Sequence, residues 1–336
     1  MYFIKRLFSI DIKRMFKILK KISKRSKKPF IVIFIDVIIC GFKYGAGYMD
    51  YYVFNFEELN SKQRKTYITR TINDDYIKHC NNREFYHLFS HKPDFLNTFK
   101  EYIKRDFIDL KNCYYEDYIS FVSNHPIFMA KPTDGMCGYG IEVIDSTDSD
   151  LKELYDELIN HKQFLLEERI VQDERMSNLY PCSINTIRLV TLRKGEDVEI
   201  LFRAIRIGNN GKHVDNFNNG GMFTVIDEDG FIRKPALDKE GIEYTIHPYT
   251  NTNIIGFEIP MYKEIVEQAK KMAMVVPEIR LVGWDFCISN KGIDVVEGNE
   301  YPGYDIYQSK QHLEDDRIGL KERFDNAIYG WLGYGR

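Results

Sequence analysis

In the first 28 positions apolar residues recur at three- and four-residue steps. Ile4, Phe8, Ile12, Met15, Leu19 and Ile22 form one stripe, and Arg6, Ser9, Lys13, Lys17, Lys20 and Lys24 line another side. That period predicts an amphipathic helix. Residues 30–39 are apolar except for Asp36 and too few to span a bilayer, so they read as a buried strand or a short core helix. Helical patterns follow at 61–71, 94–110, 116–121 and 151–159, the last preceded by Asp148, Ser149 and Asp150 as capping residues, and at 261–275, stopped near Pro277. Strand-like runs occupy 128–131, 141–145, 164–170, 183–192, 198–207 and 222–227. Strands and helices mixed with antiparallel hairpins predict an α+β fold.

The pattern carries most chemistry near the C-terminus. Two apolar runs, 281–288 and 293–299, flank Ser289-Asn290-Lys291-Gly292, a hairpin turn. A three-residue loop there sets Ser289 opposite Ile293, Cys287 opposite Val295 and Asp285 opposite Glu297. Alternation then places Asp285, Glu297 and Asn299 on one face. Facing carboxylates repel, and a hard cation between carboxylate and amide oxygens relieves them; Mg²⁺ on nucleotide phosphates is the common form. A solvated acidic face is the alternative. Upstream, a strand ends in Lys131, and Gly135, Gly138 and Gly140 follow before a second strand returns. Such glycines let backbone N–H groups approach phosphate oxygens, although a plain glycine hairpin would look the same. No Gly-Lys-Ser/Thr follows and no helix succeeds the loop, which excludes the common P-loop and dinucleotide signatures.

Charge changes the picture of the N-terminus. Residues 1–28 hold eleven Lys/Arg against Asp11, a net +10, while the remaining 36 bases and 49 acids leave −13. A cationic helix with Phe, Ile and Leu on its other face suits an anionic membrane surface better than nucleic acid, which is not expected as a partner. The alternative is a helix packed on its own domain. Six scattered cysteines without a CxxC pair, and no continuous apolar leader, point to free thiols in a reducing cytoplasm.

Taken in order, Lys131 before its glycine loop, Leu165-Leu166-Glu167-Glu168, Asn185-Thr186-x-Arg188 and Trp284-Asp285…Glu297-x-Asn299 resemble the ATP-grasp superfamily. The segments 34–36, 167–172, 183–188, 214–217 and 297–299 resemble, more narrowly, its sugar-transfer-associated family, whose relatives include teichuronopeptide-biosynthesis-like proteins of capsule and cell-wall loci. The resemblance implies two α+β subdomains gripping ATP: a lid at 121–172 and a large subdomain at 173–336, after a preceding region at 29–120 and the basic helix 1–28. It implies that Lys131 contacts ATP phosphates, with Arg105 as a second cation and Gly135 and Gly138 in the loop. Glu167, Glu168 and Ile170 meet the nucleoside, and Asp285, Glu297 and Asn299 hold Mg²⁺. Arg188 stabilises the transferring phosphoryl group, and Arg203, Asp215 and Asn216 face substrate. The implied activity is an ATP- and Mg²⁺-dependent carboxylate–amine ligase working through an acyl phosphate, in capsule or cell-surface polymer biosynthesis. Its carboxylate is a small molecule or lipid-linked, and its place is the cytoplasmic membrane face, peripherally bound through residues 1–28. A sugar or small-molecule kinase and a non-catalytic ATP-binding module are the rivals.

Overall fold

The computed structural model describes residues 11–134, 140–209, 220–314 and 316–330. The chain divides into two compact units, the described parts of 1–79 with 303–336 and of 80–302. The end of the chain, expected to continue a 173–336 subdomain, thus folds with the N-terminal residues. Its polar groups show why: the Gln308 side chain accepts the Ile68 amide at 2.8 Å and donates to Ile68 O at 2.9 Å. The Tyr304 hydroxyl donates to buried Asp50 at 2.6 Å.

The first unit is largely helical. Helix α1 (Ile12–Ser26) starts at Asp11, whose Oδ1 accepts the Arg14 amide at 2.9 Å, and ends at Lys27 in the left-handed region. Helix α2 (Phe30–Tyr44) resolves the 30–39 stretch as helix and runs on to Gly45 at φ 63, a left-handed C-cap. Ile18, Leu19 and Ile22 of α1 pack with Ile33, Val37 and Cys40 of α2, and with Tyr51 of α3 (Tyr48–Val53) and Phe54 after it. Asp36 fits an apolar helix because Arg64 donates to both its oxygens, at 2.8 and 2.7 Å, and Tyr51 adds a third donor at 2.6 Å. Among the described residues no helix is long and apolar enough to cross a membrane.

The second unit holds two antiparallel sheets. One has the order β1-β4-β2-β3, from β1 (Phe107–Asp109), β2 (Ile127–Lys131), β3 (Glu142–Asp145) and β4 (Leu165–Glu168). The helix expected over 94–110 is shorter: α4 (Lys92–Thr98) stops, Phe99 packs on Trp284 with ring centroids 5.2 Å apart, and the chain extends to add β1 to the sheet edge. Phe128, Ala130 and Leu166 face α5 (Tyr115–Asn124) and α6 (Leu151–Asn160), where they bury Tyr118, Phe121, Leu154 and Leu158. Asp150 caps α6, its Oδ1 accepting the Lys152 and Glu153 amides. By alternation, Lys131 and Glu167 point from the opposite face.

The other sheet runs β11-β10-β5-β6-β7-β8-β9, from β5 (Thr186–Lys194), β6 (Asp197–Ile207), β7 (Met222–Val225), β8 (Ala236–Leu237), β9 (Glu243–Tyr244), β10 (Leu281–Ser289) and β11 (Gly292–Asn299). One face carries Ile187, Leu189, Ile205 and Trp284 into a core with Phe95, Phe99 and, from α7 (Tyr262–Met272), Ile265 and Ala269. Trp284 is fully buried and its indole N–H donates to Thr191 Oγ1 at 2.9 Å, so the one polar atom of the ring is satisfied.

Candidate functional site

The β10–β11 hairpin places Asp285 opposite Glu297 by a different route from the one the spacing suggested. The turn is two residues long, so Ser289 faces Gly292, Cys287 faces Asp294 and Phe286 faces Val295. Gly292 adopts φ 101, which favours glycine. A bulge at Val296 then adds one residue to β11 and brings Glu297 back opposite Asp285. The Asn299 amide donates to Glu297 Oε1 and to Gly283 O, each at 3.3 Å. The three oxygen-bearing side chains of the expected metal set are therefore neighbours.

On its other side β10 pairs with β5, and Asp285 lies opposite Arg188. The guanidinium grips the carboxylate through two nitrogens, Nη2 at 2.5 Å and Nε closer still. Arg206 Nη1 adds a contact of 3.2 Å to Asp285 Oδ2. Burial works to raise the Asp285 carboxyl, but Arg188 and then Arg206 override it and hold it at about 2. Glu297 moves the other way. Enclosure by surrounding protein raises it, and the Asp285 carboxylate, with which it shares a hydrogen bond, raises it further. Half of the Glu297 side chain still meets solvent, 51% against 2% for Asp285, so Glu297 is the acid a ligand would meet first.

Arg203, expected to face substrate, does not join this cluster. It lies opposite Leu189, on the core face of the sheet, and approaches Glu228 at 3.7 Å. Arg206 lies opposite Thr186, on the face that carries Arg188. Three residues along a strand reverse the side-chain direction, so only Arg206 can reach Asp285. Counting in twos from Arg188 across the hairpin would have found it.

A second cluster forms on the four-stranded sheet. Lys131 Nζ meets Glu167 Oε1 at 2.9 Å, a diagonal pair set by Met129 lying opposite Glu167. Arg105, expected as a second phosphate-binding cation, is instead 4% exposed. Its donors are used on Glu167 Oε2 at 2.5 Å, Asp294 Oδ1 at 2.9 Å and Val295 O at 2.8 Å. Its role is to tie β4 to β11. Burial opposes ionisation of Glu167, yet Arg105 and Lys131 together hold it at about 2.

The cation beside Lys131 is Lys92, the first residue of α4, whose backbone N–H donates to Thr133 O at 3.1 Å. Desolvation lowers its pKa, and the Lys131 charge lowers it further; Glu297 and Glu167 oppose the shift. Lys92 thus feels an acid from each of the two clusters, Glu167 and Glu297. No local pattern marks it, because only the tertiary fold brings residue 92 beside residue 131. Glu168 binds Lys291 Nζ at 2.5 and 2.7 Å and accepts the Asp106 amide at 3.0 Å. Half-buried Ile170 lies just past β4, where the chain turns to run beside β10, Asp173 N donating to Ile288 O at 2.9 Å. Gly135, Gly138, Asp215 and Asn216 lie outside the described residues.

The donor set fits Mg²⁺. Asp285, Glu297 and Asn299 offer hard oxygens; burial first and then the Asp285 carboxylate raise Glu297, and the second of these is the repulsion a divalent cation would remove.

The model of the sugar-transfer associated ATP-grasp family matches residues 71–314 of this chain. No curated protein matches it. Among solved structures, the chain is similar to the ATP-grasp ligase PsnB in complex with a minimal precursor, at 11% identity over 75% of this chain and 63% of that one, TM-score 0.45. It is also similar to D-alanyl-alanine synthetase A from Vibrio cholerae, at 11% identity, 74% and 66% coverage and TM-score 0.43. A third is the phosphoribosylamine–glycine ligase of Thermotoga maritima, at 12% identity, 77% and 57% coverage and TM-score 0.44. The chain spans less than two thirds of the length of each.

Proposed function

We propose, from the fact that the chain belongs to the sugar-transfer-associated ATP-grasp family, that it is an ATP- and Mg²⁺-dependent ligase. It would join a carboxylate to an amine in the assembly of a capsule or other cell-surface polymer. One observation carries the reading: Lys92 feels the charges of Lys131, Glu167 and Glu297, Lys131 pairs with Glu167, and Arg188 and Arg206 meet Asp285 beside Glu297 and Asn299, although six separate elements supply Lys92, Lys131, the two arginines and the Asp285–Glu297–Asn299 set. A fold that needed only stability would not gather four cations, two acids and an amide this way.

In this scheme Lys131 and Lys92 take the phosphate oxygens of ATP, with Lys131 positioned by Glu167. Asp285, Glu297 and Asn299 would hold Mg²⁺, which when bound neutralises the terminal phosphates and orients them. Arg188 and Arg206 are anchored on Asp285, so their charge is already in place when the terminal phosphoryl group passes to the substrate carboxylate. The acyl phosphate so formed is then open to an amine. These side chains position and neutralise, and none needs to become covalently attached.

The ligase reading predicts that ADP and phosphate are released when both a carboxylate and an amine are supplied, and that hydroxylamine diverts the product to a hydroxamate. Panels of uronic acids, amino acids and lipid-linked sugars are the test substrates. A stable phosphorylated sugar formed without any amine would replace the ligase with a kinase. ATP binding without turnover on every panel would leave a non-catalytic module. Within the site, Arg206→Ala should lower kcat by about 10²-fold with little change in melting temperature. Arg203→Ala should instead act on stability, with kcat retained within about tenfold. The reverse order would put the substrate on the other face of β6.

A further inference from the structure

The expectation that residues 1–28 alone engage a membrane meets a difficulty in the first unit. Ile18 is 9% exposed and Leu19 and Ile22 are fully buried, so the centre of the arm's apolar stripe is core. The exposed apolar surface lies on α2 instead. Ile31, Val32, Ile35, Ile38 and Ile39 are 44–59% exposed. At 100° per residue they fill one arc of about 120°, opposite the buried Ile33, Val37 and Cys40. A helix apolar on both sides needs a second apolar neighbour, and five contiguous branched side chains in water mark an interaction surface. Phe16 of α1 extends the patch, its ring stacked 5.8 Å from Phe30 and 6.3 Å from Phe34.

We propose that this α2 face is the part of the molecule that enters the headgroup–acyl boundary of an anionic bilayer, with α1 lying beside it as the electrostatic rim. The charge pattern selects this occupant. Going round α1 from the core side, the exposed Ile12 and Phe16 come first, then Lys13, Lys17, Lys20 and Lys24 on the adjoining arc, all exposed. No acid lies within α1. A second copy would bring the same cations against these, whereas anionic headgroups complement them. At 15 residues, about 22 Å, α2 is too short to cross and lies in the plane. The inference does not depend on the ligase reading.

The test uses the full chain, because removing the arm would strip Leu19 and Ile22 from the core. The full-length protein should sediment with phosphatidylcholine vesicles containing about one third phosphatidylglycerol. It should not sediment with phosphatidylcholine alone, and binding should weaken as salt is raised. Ile35→Glu with Ile39→Glu should reduce binding at least about tenfold at an unchanged melting temperature, since both positions are half in water already. Lys13→Gln with Lys17→Gln and Lys20→Gln should weaken binding and flatten its salt dependence. Wild-type binding by the Ile35/Ile39 variant would overturn the proposal. So would a chain that ignores anionic vesicles, whether it forms a dimer that the same substitutions dissolve or is destabilised by them because another part of the chain covers α2.

Discussion

Replacing Glu297 with Gln should cut Mg²⁺-dependent ATP turnover by about a thousandfold while the melting temperature stays level or rises. The amide keeps the shape of the carboxyl group and removes the negative charge. In the absence of metal that charge is disfavoured by burial and then by Asp285, which together raise the Glu297 pKa, so its loss relieves both penalties in the folded protein. With Mg²⁺ held as proposed, the same charge would be the solvent-facing half of the donor set, and its loss would weaken the site. A magnesium titration of turnover should therefore shift to higher concentration for Glu297→Gln, with ATP affinity measured in EDTA nearly unchanged. Turnover within tenfold of wild type at saturating Mg²⁺ would remove Glu297 from the metal site. Asp285→Asn is a less clean probe. It would also leave Arg188, 3% exposed, without its bidentate partner, and stranding one member of a buried pair typically costs about 3–5 kcal/mol.

The Asp285–Glu297 pairing was legible in the sequence because strand alternation is a strong constraint and both residues belong to one hairpin. It was reached with a three-residue loop, where the chain uses a tight turn and a bulge. The longer loop adds its extra residue in the turn and the bulge adds it at Val296, so the spacing from Ser289 to Glu297 alone does not separate them. The resemblance names Arg188 and Arg203, whereas the alternation of β6 puts Arg206, not Arg203, on the face that carries Arg188. Arg105 and Lys92 exchange places for a reason no local pattern contains. Which cation is buried beneath β4 and which stands beside Lys131 depends on where α4 docks. The helices at 151–159 and 261–275 were readable from caps and period. The 94–110 stretch was not, because Phe99 leaves the helix to pack on Trp284, nearly two hundred residues away. Asp36 looked like an interruption of an apolar run, and its partner Arg64 explains how the helix continues through it.

Glu167→Gln should destabilise the second unit by about 3 kcal/mol at neutral pH, and the difference from wild type should vanish in acid. In the folded protein Glu167 titrates at about 2 against an ordinary 4.5, and each unit of such a shift corresponds to about 1.4 kcal/mol. The sign follows from the direction. A depressed carboxyl contributes its full stabilisation above 4.5, where it is ionised in both folded and unfolded chains, and loses it as the pH falls towards 2. Wild type should therefore lose stability across that window, whereas Glu167→Gln, with nothing to protonate there, should show a flatter profile. Glu167 is the common partner of Arg105 and Lys131, so the substitution leaves a guanidinium without one of its two carboxylates and releases the Lys131 ammonium, which the proposed scheme assigns to ATP phosphates. Denaturant unfolding at pH 7 and again near pH 3 measures both parts. An equal loss at the two pH values would mean that Glu167 acts through packing alone. A loss that shrinks with acid, joined to a raised KM for ATP at neutral pH, would tie the stability of the second unit to the positioning of Lys131.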